Sequence, residues 1–242
     1  MPAVVAGFAE TQNYTLAKRE QDDILAFYKM DIAKYVKGDT LWIKEIFDQI
    51  PSQLDTQSKR FSFASMKKGA TYDDYMRDFL WLSNAGIALP TRIVTEPRHP
   101  LRLAENRGYF KLFMNDVGLL AASCGLKVAK SVVSDQLGVN CGSIYENAIA
   151  QELKCHGFSL YYYRSKGIGE LDFVIEQNDG TVLPIEVKSG KSYKRHAALD
   201  NVLSSPNYRI DRALVLCEDN VRMEGRVIYC PAYCVGLLSA AV

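Results

Sequence analysis

The chain has 242 residues, long for one domain and comfortable for two. Its 48% hydrophobic and 24% charged residues exclude wholesale disorder, a collagen-like repeat and a coiled coil. A balance of 29 Lys and Arg against 28 Asp and Glu leaves a net charge of +1, with neither half basic, which excludes a broad polyanion-binding surface and leaves open only a local basic groove.

No apolar run approaches the ~20 residues that a bilayer span needs, and the opening MPAVVAGFAETQNY has no positive segment ahead of an apolar one. A soluble cytoplasmic protein without a membrane partner is expected. The 6 cysteines are scattered, and only Cys230 and Cys234 lie close together, with no second pair or nearby His. They read as reduced core thiols rather than as a zinc site.

In chain order, Ile24, Phe27, Tyr28, Ile32 and Tyr35 form a helical apolar stripe. Lys37 to Thr40 stop that helix, and Thr40 caps a second one carrying Leu41, Ile43, Ile46, Phe47 and Ile50, ending near Pro51. FSFASMKK is a short helix or strand, and Thr71 opens a third helix with Tyr72, Tyr75, Met76, Phe79, Leu80 and Leu82 on its face. Ile87 to Thr95 and Pro100 to Ala104 alternate as two strands, so residues 40 to 105 are expected to form a winged helix-turn-helix. The third helix carries Asp73, Asp74 and Asp78 against Arg77 alone, which suits a packing or protein-contact module better than base recognition.

From Phe110 the run FKLFMNDVGLLAASCGL reads as a buried helix with a turn. An α/β pattern follows: a helix at 143–155, a strand at 158–163, a hairpin at 170–188, a helix at 193–203, and strands at 212–217 and 226–230.

The chemistry concentrates in GELDFVI, EQNDGTVL and PIEVKSG. Side chains alternate along a strand, so Glu186 and Lys188 share one face, polar by design or by solvent, while Ile185 and Val187 point into the core. Register then decides the site. A loop of three residues, 178–180, sets Asp172 opposite Glu186, whereas a two-residue loop sets it opposite Val187 and requires a bulge.

Two carboxylates so close repel unless a cation lies between them, and oxygen ligands select Mg²⁺ or Mn²⁺. Lys188 would then meet a substrate phosphate or the attacking water, an arrangement suited to phosphodiester hydrolysis. Glu146 lies at the helical phase of Ile149, Ala150 and Leu153 and points inward, where a metal-bound water or Lys188 would satisfy it. Glu170 shares the side of Asp172, as an auxiliary acid or a solvated edge residue. Lys191, Lys194 and Arg195 are candidate nucleic-acid contacts, with His196 beside them, although a solvated helix face accounts for the same residues. Singly, each carboxylate also fits a strand with one wet face.

Glu146, Asp172 and Glu186-Val187-Lys188, in the order helix, strand, strand, resemble the active-site pattern of the PD-(D/E)XK nuclease superfamily, which includes Holliday-junction resolvases and restriction endonucleases. The whole chain also resembles the C-terminal region of a prokaryotic group of AAA+-like P-loop ATPases, through MPAVV, DIAKY, IFDQIPSQL, WLSNAGI, FKLFMNDVGLL, YENAIAQEL, GELDFVI and PIEVKSG. The resemblance implies an α/β protein: a helical linker over 1–39, a winged-helix-like domain over 40–109, and a PD-(D/E)XK-like mixed sheet with flanking helices over 110–242. It implies Asp172 and Glu186 as ligands of Mg²⁺ or Mn²⁺, Lys188 assisting the nucleophile, Glu146 orienting water or metal, DNA as substrate and an ATPase module as partner. No G-x-x-x-x-G-K-[ST] occurs, so no ATP site is expected, and the chain is expected to be a piece or a truncated product lacking that module. A non-catalytic appendage that regulates an ATPase is the alternative.

Overall fold

A computed structural model describes residues 1–35, 40–126, 128, 131, 142–190 and 192–240. The chain divides into two compact units, each built from two stretches: residues 1–88 with 112–144, and 89–111 with 145–242.

The first unit is helical, with α1 (Pro2–Thr11), α2 (Tyr14–Tyr35), α3 (Thr40–Leu54), a 3-10 turn (Phe63–Ser65), α4 (Tyr72–Asn84) and α5 (Val117–Ser123). On α2, Leu25 and Ile32 are buried two turns apart, while Phe27, expected in the stripe, is exposed. Helix α3 does not stop at Pro51 but continues for a turn to the fully buried Leu54. Proline removes only one intrahelical hydrogen bond. The turn beyond it is pinned by Gln53, whose Oε1 accepts from Ser62 N–H at 3.0 Å and whose Nε2 donates to Ser65 Oγ at 2.7 Å.

Thr71 opens α4 as expected: its backbone N–H donates to Asp74 Oδ2 at 2.7 Å and its hydroxyl at 3.0 Å. One of the acidic residues of that helix is therefore a cap. Asp74→Ala is expected to lower the urea midpoint with an unchanged slope, because the Thr71 N–H loses its capping-box acceptor. An unchanged midpoint would show the cap to be inert.

The second unit is built on an eight-stranded mixed sheet. Its strands are β1 (Ala88–Val94), β2 (Glu105–Met114), β3 (Tyr161–Ser165), β4 (Gly169–Glu176), β5 (Val182–Val187), β6 (Ala213–Cys217), β7 (Arg222–Glu224) and β8 (Val227–Pro231). Their order is β2-β1-β3-β4-β5-β6-β8-β7. β3, β4 and β5 run antiparallel in turn, while β1 lies parallel to β3, and β6 to both β5 and β8. The observed class is mixed α/β with the helices gathered N-terminally.

Two expectations fail around residue 100. Leu101–Ala104 is a 3-10 turn and not the second strand of a wing, and β1 pairs within the large sheet. The run from Phe110 begins as the buried end of β2, and helix starts only at Val117, where Asp116 Oδ1 accepts from Leu119 N–H at 3.0 Å. A short apolar run covered on both faces has no period that separates strand from helix.

Helices α6 (Gly142–Cys155) and α7 (Ala197–Ser204) complete the unit. Leu199, Val202 and Leu203 of α7 bury against Val94, Leu171, Val174, Val182 and Val215 of the sheet. At about 1.5–3 kcal/mol for each fully buried aliphatic side chain, this face anchors the hairpin that carries the site. Tyr161, Tyr162 and Tyr163 are all buried, not alternately, because both sides of β3 are covered. Among the described cysteines, Cys217 and Cys230 are core thiols, whereas Cys124 and Cys155 are exposed.

Candidate active site

The β4–β5 hairpin takes the register that brings carboxylates together. Pairs run from Glu176–Val182 to Phe173–Ile185 around the loop 178–180, the three-residue-loop register, and Asp172 follows one step beyond the last pair. Gly180, at φ +78°, supplies the left-handed turn residue, and Gln177 N–H bonds Thr181 C=O at 2.9 Å to close the loop.

On its other edge β4 carries a bulge. Tyr161 pairs with Val174 and Tyr163 with Leu171, so one residue of β4 between these pairs is extra. It falls at Asp172–Phe173, where a bulge re-aims side chains. Asp172 Oδ2 accepts from Val187 N–H at 2.9 Å, fixing its carboxylate across the hairpin.

Glu186 does not lie on a wet face. It is 4% exposed, and all six residues of β5 are buried. Burial, and then the Asp172 carboxylate, push the Glu186 carboxyl up to about 8, against the pull of Lys188. Lys188 Nζ lies 2.8 Å from Glu186 Oε2. Burial disfavours its charge, but Glu186, Asp172 and Glu146 outweigh burial and hold its pKa above the usual value.

A residue that sequence reasoning did not single out closes the cluster. Lys111, on β2, is fully buried, with Nζ 2.9 Å from Glu170 Oε1, 3.5 Å from Glu146 Oε2 and 4.0 Å from Asp172 Oδ1. Burial disfavours its charge too, but Glu146, Asp172 and Glu170 overcome that and raise its pKa. Glu146 is buried as its helical phase requires, with Lys111 Nζ 3.5 Å from its Oε2 and Lys188 within reach of its charge. The signal was present in the sequence: a charged residue within FKLFM, at a position that must be buried, needs carboxylate partners.

The structure thus gathers Glu146, Glu170 and Asp172 around Lys111, and Glu186 beside Lys188 and Asp172. It treats the basic candidates differently. Lys194 is exposed and lies 3.8 Å from Glu224, Arg195 is exposed, and Lys191 lies outside the described residues. His196 is buried at the start of α7, with Nε2 2.6 Å from the Tyr229 hydroxyl, so it is neither a phosphate ligand nor a solvated side chain.

Among the described residues no group of three or more His, Cys, Asp and Glu has the geometry of a metal cluster. The donor chemistry of Asp172 and Glu186 nevertheless fits a hard cation. Burial and the neighbouring Asp172 carboxylate favour a proton on Glu186, which a divalent ion between the two would displace.

This proton sets a pH dependence. The folded chain holds it up to about 8, whereas the unfolded carboxyl releases it near 4.5, so the folded state binds more protons between those values. Stability contributed by Glu186 is therefore complete below the unfolded value and falls as pH rises through the folded one. Denaturant titrations in chelator from pH 5 to 8.5 should show this decline, and Glu186→Gln should flatten it. A wild-type slope that survives the substitution would place its origin elsewhere.

Fold and site together define an α/β protein with a carboxylate–ammonium cluster set on a buried hairpin. The chain belongs to the family described as a domain of unknown function (DUF8612), whose model matches residues 1–130, more than half of its length. Residues 141–235 match a second domain of unknown function, DUF4143. Lys111 falls in the first match and the four carboxylates with Lys188 in the second. Neither a curated protein nor a solved structure gives a match. No helix among the described residues is long and apolar enough to cross a membrane.

Proposed function

We propose that the cluster hydrolyses phosphodiester bonds of DNA with Mg²⁺ or Mn²⁺, as a PD-(D/E)XK-type module. The observation that carries this reading is the convergence of Asp172 and Glu186 at the open end of the hairpin, with the Lys188 ammonium 2.8 Å from Glu186. Asp172 and Glu186 would hold the ion, which supplies charge for the phosphate oxygens and lowers the pKa of a bound water. The Lys188 ammonium, 27% exposed beside Glu186, is placed to neutralise a phosphate or hold the attacking water. Glu146, drawn to Lys111, positions the inner side of the cluster. Lys191, Lys194 and Arg195 serve as outer phosphate contacts in this reading, and the helices α3 and α4 as the helical part of a winged-helix-like module joined to an ATPase partner.

One observation favours the non-catalytic alternative, an appendage regulating an ATPase: Lys111 already compensates three of the carboxylates. The two readings separate on supercoiled, linear and branched DNA incubated with the chain in Mn²⁺ and in Mg²⁺, beside Asp172→Ala and Lys188→Ala. Cleavage by the native chain that both substitutions abolish is expected. Intact substrates throughout would leave the binding appendage as the better reading.

A further inference from the structure

Four carboxylates, Glu146, Glu170, Asp172 and Glu186, face two ammonium groups, those of Lys111 and Lys188. With the Arg164 guanidinium at Glu170 counted as well, three cations among the described residues meet the four carboxylates, an excess of one negative charge when Glu186 is ionised. The two ammoniums sit differently. Lys188 is part-exposed at the end of β5, whereas Lys111 has no exposed surface and lies with Nζ 5.2 Å from the centre of the Tyr162 ring. A side chain so enclosed cannot swing aside as a surface lysine does, and its 2.9 Å contact takes up Glu170 Oε1. Hard divalent ions need oxygens at about 2.0–2.6 Å, which a resident ammonium denies them.

We infer that Lys111 is a built-in cation standing where a second metal ion would otherwise sit, so that the site takes one free divalent ion, between Asp172 and Glu186. This rests on the reading of Asp172 and Glu186 as metal ligands. Lys111 is then a positioning residue. It gathers Glu146 and Glu170, draws the Asp172 Oδ1 side inward, and leaves Glu186 with the opposite end of the cluster. Glu170 belongs to Lys111 and Arg164, whose Nη1 is 3.6 Å from Glu170 Oε2, and not to the metal.

The test is Mn²⁺ binding to the full chain at pH 8, counted by electron paramagnetic resonance of the free ion, with thermal unfolding alongside. The native chain should bind one Mn²⁺. Lys111→Met, which keeps most of the stem and removes the charge, should bind two and gain more in unfolding temperature from Mn²⁺ than the native chain does. A role in packing alone would leave the count at one. Glu170→Gln guards against a Lys111 variant that fails to fold: it should keep its Mn²⁺ affinity, short of the roughly tenfold loss that removing a partner of a metal ligand would cause. Two ions in the native chain, one in a folded Lys111→Met, or a loss of tenfold or more in Glu170→Gln each overturns the inference and leaves the metal reading standing. Binding by Lys111→Met but not by the native chain supports the resident cation and overturns metal binding by the native site. No binding by either overturns both.

Discussion

Lys111→Met is expected to lower the free energy of unfolding by about 3–5 kcal/mol at pH 8 in the presence of chelator. The substitution preserves most of the apolar stem, so the loss comes from charge: Glu146 and Asp172, and in part Glu170, remain enclosed without the ammonium that neutralises them. The pair need not be strongly stabilising in itself for this to hold. Breaking a buried ion pair costs more than forming it gains, because the remaining partner keeps its desolvation penalty. Two consequences separate this account from a packing defect. The loss should shrink at pH 5.5, where the stranded carboxyls take up protons more readily, and the double variant Lys111→Met, Glu170→Gln should be more stable than the sum of its parts. Urea titrations at both pH values measure all three quantities. A loss below about 1 kcal/mol at pH 8 would mean that water reaches the cluster and solvates it.

On the proposed nuclease reading, Asp172→Asn is expected to reduce DNA cleavage at least about a hundredfold and to remove stabilisation by Mn²⁺, while leaving the hairpin in register. Loss of an outer partner of a metal ligand alone costs about 10- to 100-fold, and a ligand costs more. The amide is chosen because its Oδ1 still accepts the Val187 N–H, the bond that now ties β4 to the end of β5. Rates on plasmid DNA and melting temperatures with and without Mn²⁺ give the two readouts. If cleavage persists while the metal effect is lost, Asp172 binds an ion that the chemistry does not use. If both persist, Asp172 is not a ligand.

Much of the second unit was legible from alternation and turn chemistry. The Asn178-Asp179-Gly180 turn marked the hairpin but left two registers open, and the three-residue loop decides between them, because a strand has only two faces and one step of slip exchanges them. The helical phase of Glu146 foretold its burial for a similar reason. What could not be read came from contacts distant in sequence. The need of Lys111 for carboxylate partners was legible in FKLFM, but not their identity, since Glu170 lies 59 residues away. The β4 bulge at Asp172–Phe173 answers to β3, not to the hairpin. Residues 110–114 misled because burial on both sides erases period, and residues 101–104 because alternation over so short a stretch also fits a 3-10 turn. His196 was read among Lys194 and Arg195 as part of a basic group, but the start of α7 turns it under Tyr229.

The interleaving of the two units has a consequence for how the chain assembles. Each unit is made of two stretches, so no single cut releases either one whole, and a piece spanning 141–235 carries Glu146, Glu170, Asp172 and Glu186 without Lys111. On the ribosome, β1 and most of β2 emerge some time before the strands with which they share a sheet. The parallel pairing of Arg92 with Tyr161 spans 69 residues, a loop whose closure entropy must be met before its contacts form. Such long-range pairing places folding on the slow side of the range for domains of this size. It also makes enclosure of Lys111 a late event, because the carboxylates that compensate its charge arrive only with the second stretch.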